Sequence, residues 1–358
     1  MPASRFDELV ARLRDEARPD DLTYMEVCGT HTMAISRFGL RDLLPHGMRL
    51  VSGPGCPVCV TAIGDLDVVV EIARLPRTTI VTFGDLVRVP ASRTSLAEER
   101  AAGADVRVVY SPADAVALAV AEPDREVVFV GIGFETTAPT VAAALLDARS
   151  RGLANLSVLS LHKTMPGALR TLLELGETRL DGFILPGHVS VVTGSECYRF
   201  LAEEYGVGGV VAGFEAEDVL EALLMLVRQR EPRIEIGYTR AVHPAGNPVA
   251  RAVMGQVFEP CDADWRGLGV IPGSGLRIND AFAGFDAARR FDVDPGDPQE
   301  PRGCRCGEVL RGILDPAECP LFGGRCTPET PVGACMVSSE GSCSARHRYR
   351  QLEERDGV

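Results

Sequence analysis

From about residue 48 to residue 230 the chain alternates short aliphatic runs with longer stretches whose apolar residues recur at helical spacing. TTIVTF at 78–83, EVVFVGIG at 126–133, DGFILP at 181–186 and GGVVAG at 208–213 are apolar at consecutive positions, as strands buried on both faces of a parallel sheet must be. With the runs in MRLVSG, DVRVVYS and LSVLSLHK, seven strands are predicted. Amphipathic stretches separate them, such as GDLDVVVEIARL, TAPTVAAALLDARSRG and EDVLEALLMLVRQR. This alternation implies βαβ units with right-handed crossovers, whose functional loops gather at the strand C-termini. Seven strands could make one sheet. The polar break AEPDREV at 121–127 favours two smaller units. The expected fold is therefore α/β: two Rossmann-like parallel-sheet lobes, at 46–120 and 121–232, plus a third, largely irregular or helical domain. Residues 1–45 open with an amphipathic charged helix and form an N-terminal segment expected to pack with the C-terminal domain.

Beyond residue 232 the periodicity fades. A Gly-rich stretch, WRGLGVIPGSGLRIND, and a polar Pro-rich linker, DVDPGDPQEPRG, lead into a cysteine-rich tail, so 233–358 reads as a connecting region and a cluster domain. Composition narrows the classes. Aromatic content of 6% makes the cores aliphatic. A net charge of −13 argues against nucleic-acid binding, which needs a basic face, and suits docking to other proteins. No apolar run approaches the roughly 18 residues that span a membrane, and the N-terminus lacks the apolar core of a signal peptide. The default compartment is the cytoplasm. There, eleven cysteines point to metal ligands or catalytic thiols rather than disulfides.

Six of those cysteines crowd the tail: Cys304, Cys306, Cys319, Cys326, Cys335 and Cys343. Thiolates at this density suit zinc or an iron–sulfur cluster. Structural zinc usually uses two tight pairs, and only Cys304 and Cys306 are close. Single cysteines on separate Gly/Pro loops better suit a cubane approached from several directions, which would also order a tail too polar to fold by burial alone.

Two motifs stand near the start. In Glu26-Val27-Cys28-Gly29-Thr30-His31-Thr32, a thiol and an imidazole with two residues between them sit at a loop-to-helix junction. They can bind one transition metal, act as an activated nucleophile pair, or be a buried thiol and a satisfied imidazole. Gly53-Pro54-Gly55-Cys56-Pro57-Val58-Cys59 places a CxxC pair after a strand and before a helix, where the helix N-terminus and the neighbouring cysteine favour the thiolate. A thioredoxin-like pair is the reading; half a zinc site is weaker without a second CxxC. Other strand ends carry softer candidates. Gly131-Ile132-Gly133-Phe134-Glu135-Thr136-Thr137 lacks the third glycine of a dinucleotide turn, and its polar run around Glu135 reads as functional or as helix capping. His188 in LPGHVS and His162 in SLHKTMPG read as catalytic or as satisfied loop histidines. Asp85 and Arg88 read as an acid and a base, or as an ion pair. Cys197 reads as core on a helix, and Cys261 as lying in an irregular loop without a partner.

Together these residues resemble the HypD family of nickel–iron hydrogenase maturation scaffolds. The segments that carry the resemblance are CGTHT at 28–32, GPGCPVC at 53–59, FGDLVRVP at 83–90, GIGFETTAPT at 131–140, LPGHVSVVTG at 185–194 and the tail. The family's tail pattern leaves fourteen, six and sixteen residues between cluster cysteines, and Cys304, Cys319, Cys326 and Cys343 fit it, leaving Cys306 and Cys335 outside. The resemblance implies a 4Fe–4S cluster on those four cysteines. It also implies a complex with a small HypC-type chaperone, holding iron while cyanide and carbon monoxide ligands are assembled on it. Cyanide would come from a HypE-type donor, and the finished unit would pass to the hydrogenase large subunit. Cys28 would ligate the iron with His31 nearby, Cys56 and Cys59 would be a redox-active pair, and Glu135 and His188 would line a donor-docking cleft. The competing class is a stand-alone cluster-dependent thiol–disulfide reductase, which has no need of Cys28 and His31.

Overall fold

The computed structural model describes residues 4–17 and 21–356. Its strands are β1 (Leu22–Glu26), β2 (Met48–Ser52), β3 (Thr78–Thr82), β4 (Asp105–Val108), β5 (Glu126–Gly131), β6 (Leu156–Ser160), β7 (Gly182–Pro186), β8 (Gly208–Ala212), β9 (Ile234–Ile236), β10 (Phe258–Trp265) and β11 (Gly269–Ile278). Among the described residues they form two sheets, β2-β1-β7-β8-β9 and β4-β3-β5-β6, and one hairpin, β10-β11. Every pairing within the two sheets is parallel. The consecutive apolar runs behave as expected: β3, β7 and β8 are buried at every position, because helices cover both faces.

The α/β class and the two parallel lobes follow the sequence pattern; the expected boundary near residue 120 does not. β3 and β4 lie before it and β5 and β6 after it, yet all four share one sheet. β2, expected in the first lobe, pairs instead with β1 and so joins β7, β8 and β9. One lobe is thus built from residues 22–52 and 182–236, and the other, continuous in sequence, lies between them. The physical reason is that crossover connections do not tie a strand to its sequence neighbour. β1 was also invisible to periodicity: LTYME is short and half polar, yet it is flanked on both edges. Gly182 makes its pairing possible, since a Cβ there would press to 2.9 Å from Leu226 and 3.1 Å from the Tyr24 ring.

The N-terminal helix Arg5–Glu16 starts on a capping box between Ser4 and Asp7. It buries Leu9, Val10 and Leu13 with Val219, Leu220 and Leu223 of the helix Ala216–Arg228. The helix Gly29–Arg37 meets the C-terminal helix Ser342–Asp356. Within the region read as irregular, β10 and β11 pair antiparallel, with a bulge between Cys261 and Ala263. Cys261 is therefore on a strand, not in a loop. The interior positions of β10 are only half-buried or exposed, so its sequence is polar and reads as loop. Trp265 is fully buried, stacks on Phe134 at 5.9 Å, and its indole N–H donates to Ser274 Oγ at 2.8 Å. The tail is loop interrupted by the short helices Cys306–Leu310 and Ala334–Val337. No helix among the described residues is long and apolar enough to cross a membrane.

Candidate functional site

Because β1 and β2 run parallel in register from Leu22↔Met48 to Glu26↔Ser52, the loops that follow them leave the sheet side by side. Those loops carry Cys28 and Cys56. Gly29 N–H donates to Gly55 O at 3.0 Å, and a Cβ on Gly55 would sit 2.1 Å from the Cys28 nitrogen. Only glycine lets the two cysteine loops touch. β3, β5 and β7 bring their own C-terminal loops to the same place. The result is a cleft of about 490 Å³ between the lobes, with Cys28, Pro57, Asp85, Phe134, Thr136 and His188 on its walls. That volume suits a small ligand or an inserted peptide segment.

Cys28 is buried and caps the helix Gly29–Arg37. Its amide donates to Glu26 Oε2 at 3.1 Å, and Thr32 Oγ1 donates to Glu26 Oε1 at 2.6 Å. Burial pushes the Cys28 thiol up to about 12, opposed by the N–H groups of His31 and Thr30 and reinforced by Glu340. Burial likewise raises the Glu26 carboxyl to about 7. His31 lies beneath the cleft rather than on its wall. Its Nε2 is 2.8 Å from the Gly213 carbonyl, which can only accept, so that nitrogen carries the proton. Its Nδ1 lone pair is buried without a partner, and burial lowers the ring to about 4. His188 is exposed, its pKa lowered by partial desolvation, and stacks on Phe214 at 3.7 Å; His31 stands at 5.6 Å from the same ring.

Cys56 and Cys59 are buried free thiols. Cys56 caps the helix Pro57–Val60, its sulfur accepting the Cys59 N–H at 3.3 Å. Cys59 is fully buried, which holds its thiol well above the usual range, and it contacts Cys335. Cys335 in turn contacts Cys306 and Cys343, and Cys306 contacts Cys304. All six tail cysteines line one narrow cavity walled by Val309, Phe322 and Met336. Gly333 closes it so tightly that a Cβ there would lie 2.6 Å from Cys304 Sγ, and the Val332 N–H donates to Cys326 Sγ at 3.3 Å. Among the described residues, no three His, Cys, Asp or Glu side chains are arranged to hold a single metal ion. The donor set that does converge is six sulfurs around a common, largely apolar space, and it fits an iron–sulfur cluster.

The structure keeps Glu135, expected in the cleft, off its walls. Glu135 turns away: one carboxylate oxygen accepts the Met165 N–H at 3.1 Å and the other has no partner, so its local role is at the start of the helix Met165–Leu175. It faces a separate cavity shared with Thr193 and Cys197. His162 is buried against Phe258 with Nδ1 3.0 Å from Ser160 Oγ. Cys197 is partly buried and donates to Thr193 Oγ1 and Gly194 O. Asp85 and Arg88 do not pair with each other. Asp85 accepts from Ser338 Oγ at 2.9 Å, while Arg88 donates to Pro328 O. Three participants escaped sequence reasoning. Cys306 and Cys335 stand between the CxxC pair and the four-cysteine set. Glu340 accepts from Thr30 Oγ1 at 3.0 Å beside Cys28. The unused cysteine count was a signal for the first two; nothing in the tail marked Glu340.

Fold and site together define a two-lobed α/β protein organised around buried thiols that run from an open cleft to a cysteine-lined cavity. Residues 4–350 match the family model HypD, described as "Hydrogenase formation hypA family". The chain is similar to the hydrogenase maturation factor HypD of Azotobacter vinelandii, 50% identical over 353 residues that cover 96% of this chain and 93% of that one. It is 48% identical to the factor of the same name from Rhizobium leguminosarum bv. viciae over 97% of this chain and 92% of that one. For Escherichia coli K12 the figures are 46%, 97% and 95%. The chain belongs to the HypD family of hydrogenase maturation proteins.

Proposed function

We propose that this protein is a scaffold on which the Fe(CN)2CO unit of nickel–iron hydrogenases is assembled. One observation carries the reading: Cys28 reaches the cleft in backbone contact with the CPVC loop, whose Cys59 leads through Cys335 and Cys306 to the four-cysteine cavity. The iron under assembly is the substrate. Cys28 ligates it at the cleft together with a HypC-type chaperone, since no complete ligand set stands there among the described residues. His188 lines the cleft through which a HypE-type cyanide donor delivers its ligand. His31 holds the Cys28 helix against Gly213 and stays neutral. A 4Fe–4S cluster on Cys304, Cys319, Cys326 and Cys343 supplies single electrons when bound. Cys56 and Cys59 would interconvert between a dithiol and a disulfide, releasing two electrons and two protons as the S–S bond forms and taking them up as it breaks, and Cys335 and Cys306 give the thiol path to that pair. The work is done in the cytoplasm, and the finished unit passes on to the hydrogenase large subunit.

Infrared spectroscopy of the chain purified anaerobically with its small partner tests this. Cyanide and carbonyl stretching bands are expected in wild type and absent in Cys28→Ala. Bands that persist in Cys28→Ala overturn the assignment of Cys28. Their absence from wild type, with full turnover of the Cys56/Cys59 dithiol, favours a reductase instead.

A further inference from the structure

The Pro-rich linker does not hang free of the fold. Its end, residues 299–302, walls an open groove of about 600 Å³. The loop from Arg88 to Ser95, which runs on from FGDLV, makes a second wall, and Glu329 and Val332 of the tail make a third. The walls are bonded together. Ser92 gives its N–H and Oγ to Asp67 at 2.9 and 2.6 Å, and its Oγ accepts the Gln299 N–H at 2.7 Å. Arg88 donates to the Pro328 and Glu329 carbonyls. The groove is therefore preformed.

Its floor is the outer skin of the cysteine cavity. Val332 lines the groove, and its N–H donates to Cys326 Sγ at 3.3 Å. The next residue, Gly333, lines the cysteine cavity, where a Cβ on it would lie 2.6 Å from Cys304 Sγ. On the linker side, Pro301 lines the groove and its carbonyl accepts the Cys304 N–H at 3.1 Å. One thickness of backbone thus parts the groove from two of the four cysteines.

The groove's charge runs against that of the chain, which carries −13. Three exposed arginines, Arg88, Arg93 and Arg302, meet there. Arg93 and Arg302 have no partner among the described residues. The carboxylates beside them are engaged: Glu98 accepts from Ser95 Oγ at 3.1 Å, Glu300 stands 3.5 Å from the Arg266 guanidinium, and Glu329 faces Arg88. Unpaired guanidinia at the rim of a groove attract and orient an acidic partner. A cluster that gives up single electrons must also be refilled from outside the chain.

We propose that this groove is the docking site of an acidic one-electron carrier protein that refills the cluster. The proposal rests on the reading that Cys304, Cys319, Cys326 and Cys343 hold a cluster, and adds the class of the donor and the surface it uses. Each docking passes one electron from the reduced carrier to the oxidised cluster, with no bond made or broken. Two such electrons, with two protons, open one Cys56–Cys59 disulfide to the dithiol. Small, transient interfaces are usual for such encounters.

The test uses the full-length chain with its cluster in place and a reduced plant-type 2Fe–2S ferredoxin, an acidic one-electron protein, as the probe. Stopped-flow absorbance follows cluster reduction at an ionic strength of about 0.01 M, where charges act across about 30 Å. Arg93→Glu/Arg302→Glu, at two exposed and unpartnered positions, should slow reduction by ferredoxin about tenfold or more. The loss should shrink at about 0.15 M, where that range falls to about 8 Å. Reduction by the methyl viologen radical, a small cation that needs no docking surface, should not slow. In titration calorimetry the Kd for ferredoxin should weaken about tenfold in the same variant, with or without iron. An unchanged ferredoxin rate and Kd overturn the proposal. Equal slowing with methyl viologen, at unchanged Kd, assigns the effect to the cluster and overturns it too. So does a variant that loses binding of inorganic phosphate while ferredoxin still reduces it at the wild-type rate, which makes the groove a small-anion site. Iron content reports the four-cysteine reading separately. Wild type without iron overturns that reading, and calorimetry of the iron-free chain then decides the groove.

Discussion

Three residues show how packing, rather than residue type, sets chemistry at this site. A thiol held at about 12 by burial has a thiolate fraction of roughly 10⁻⁴ at pH 8. Cys28 in the metal-free chain should therefore react with iodoacetamide at least ~100-fold more slowly than in urea, as mass spectrometry of the alkylated peptide would report. Gly55 is the second case. Gly55→Ala places a methyl 2.1 Å from the Cys28 nitrogen, so backbone must move. We expect it to lower the thermal midpoint and to expose Cys28 to alkylation; an unchanged alkylation rate would show that the loops are not in contact. Glu135 is the third. Burial raises its carboxyl to about 7, so the folded state holds a proton that the unfolded chain has released between about pH 4.5 and 7. Stability linked to Glu135 is full below that window and is lost as pH rises through it. Glu135→Gln, which mimics the protonated form, should flatten this fall by on the order of 3 kcal/mol at most, read from urea midpoints across pH.

At the scale of elements, the β10–β11 hairpin is what joins the two thiol regions. Trp265 and Arg266 sit at its turn, one packed into the core beside Phe134 and the other gripping the end of the CPVC helix. Ser274→Ala would leave the buried indole N–H without an acceptor, costing about 1–3 kcal/mol. Trp265 is the chain's one tryptophan, so its fluorescence follows the hairpin directly during urea unfolding. The hairpin could not be read from periodicity, because the interior of β10 is half-buried or exposed and the buried positions of β11, Ile271, Ser274, Gly275, Leu276 and Ile278, do not alternate. Helices fared better. The N-terminal stretch and EDVLEALLMLVRQR were each legible as an amphipathic helix, but the packing of Leu9, Val10 and Leu13 on the helix Ala216–Arg228 was not.

For the whole molecule, the interleaved topology means that neither half of the sequence contains a complete core. Residues 1–120 hold two strands of each sheet. Expressed alone, that fragment should show no cooperative thermal transition by circular dichroism, whereas an independent first lobe would. The same topology closes the cleft. The tail loop after the helix Ala334–Val337 meets one lobe where Ser338 donates to Asp85 and the other where Thr30 donates to Glu340.

What the chain determined by itself is local. Runs of β-branched and aliphatic residues specify buried parallel strands, and glycines and prolines after them specify loops. Cysteine spacing, with the family resemblance it supports, was enough to nominate Cys28, Cys56, Cys59 and the tail set. What only the tertiary structure decided is adjacency. Strand order joined residues 22–52 to 182–236, since a crossover can carry the chain to either lobe. It moved Glu135 out of the cleft, since a strand-end residue can face either side of the turn. It also drew Cys306 and Cys335 between the CxxC pair and the four-cysteine cavity. Thiols and charges act over a few ångströms, and proximity across more than two hundred residues of sequence is set by packing, not by spacing.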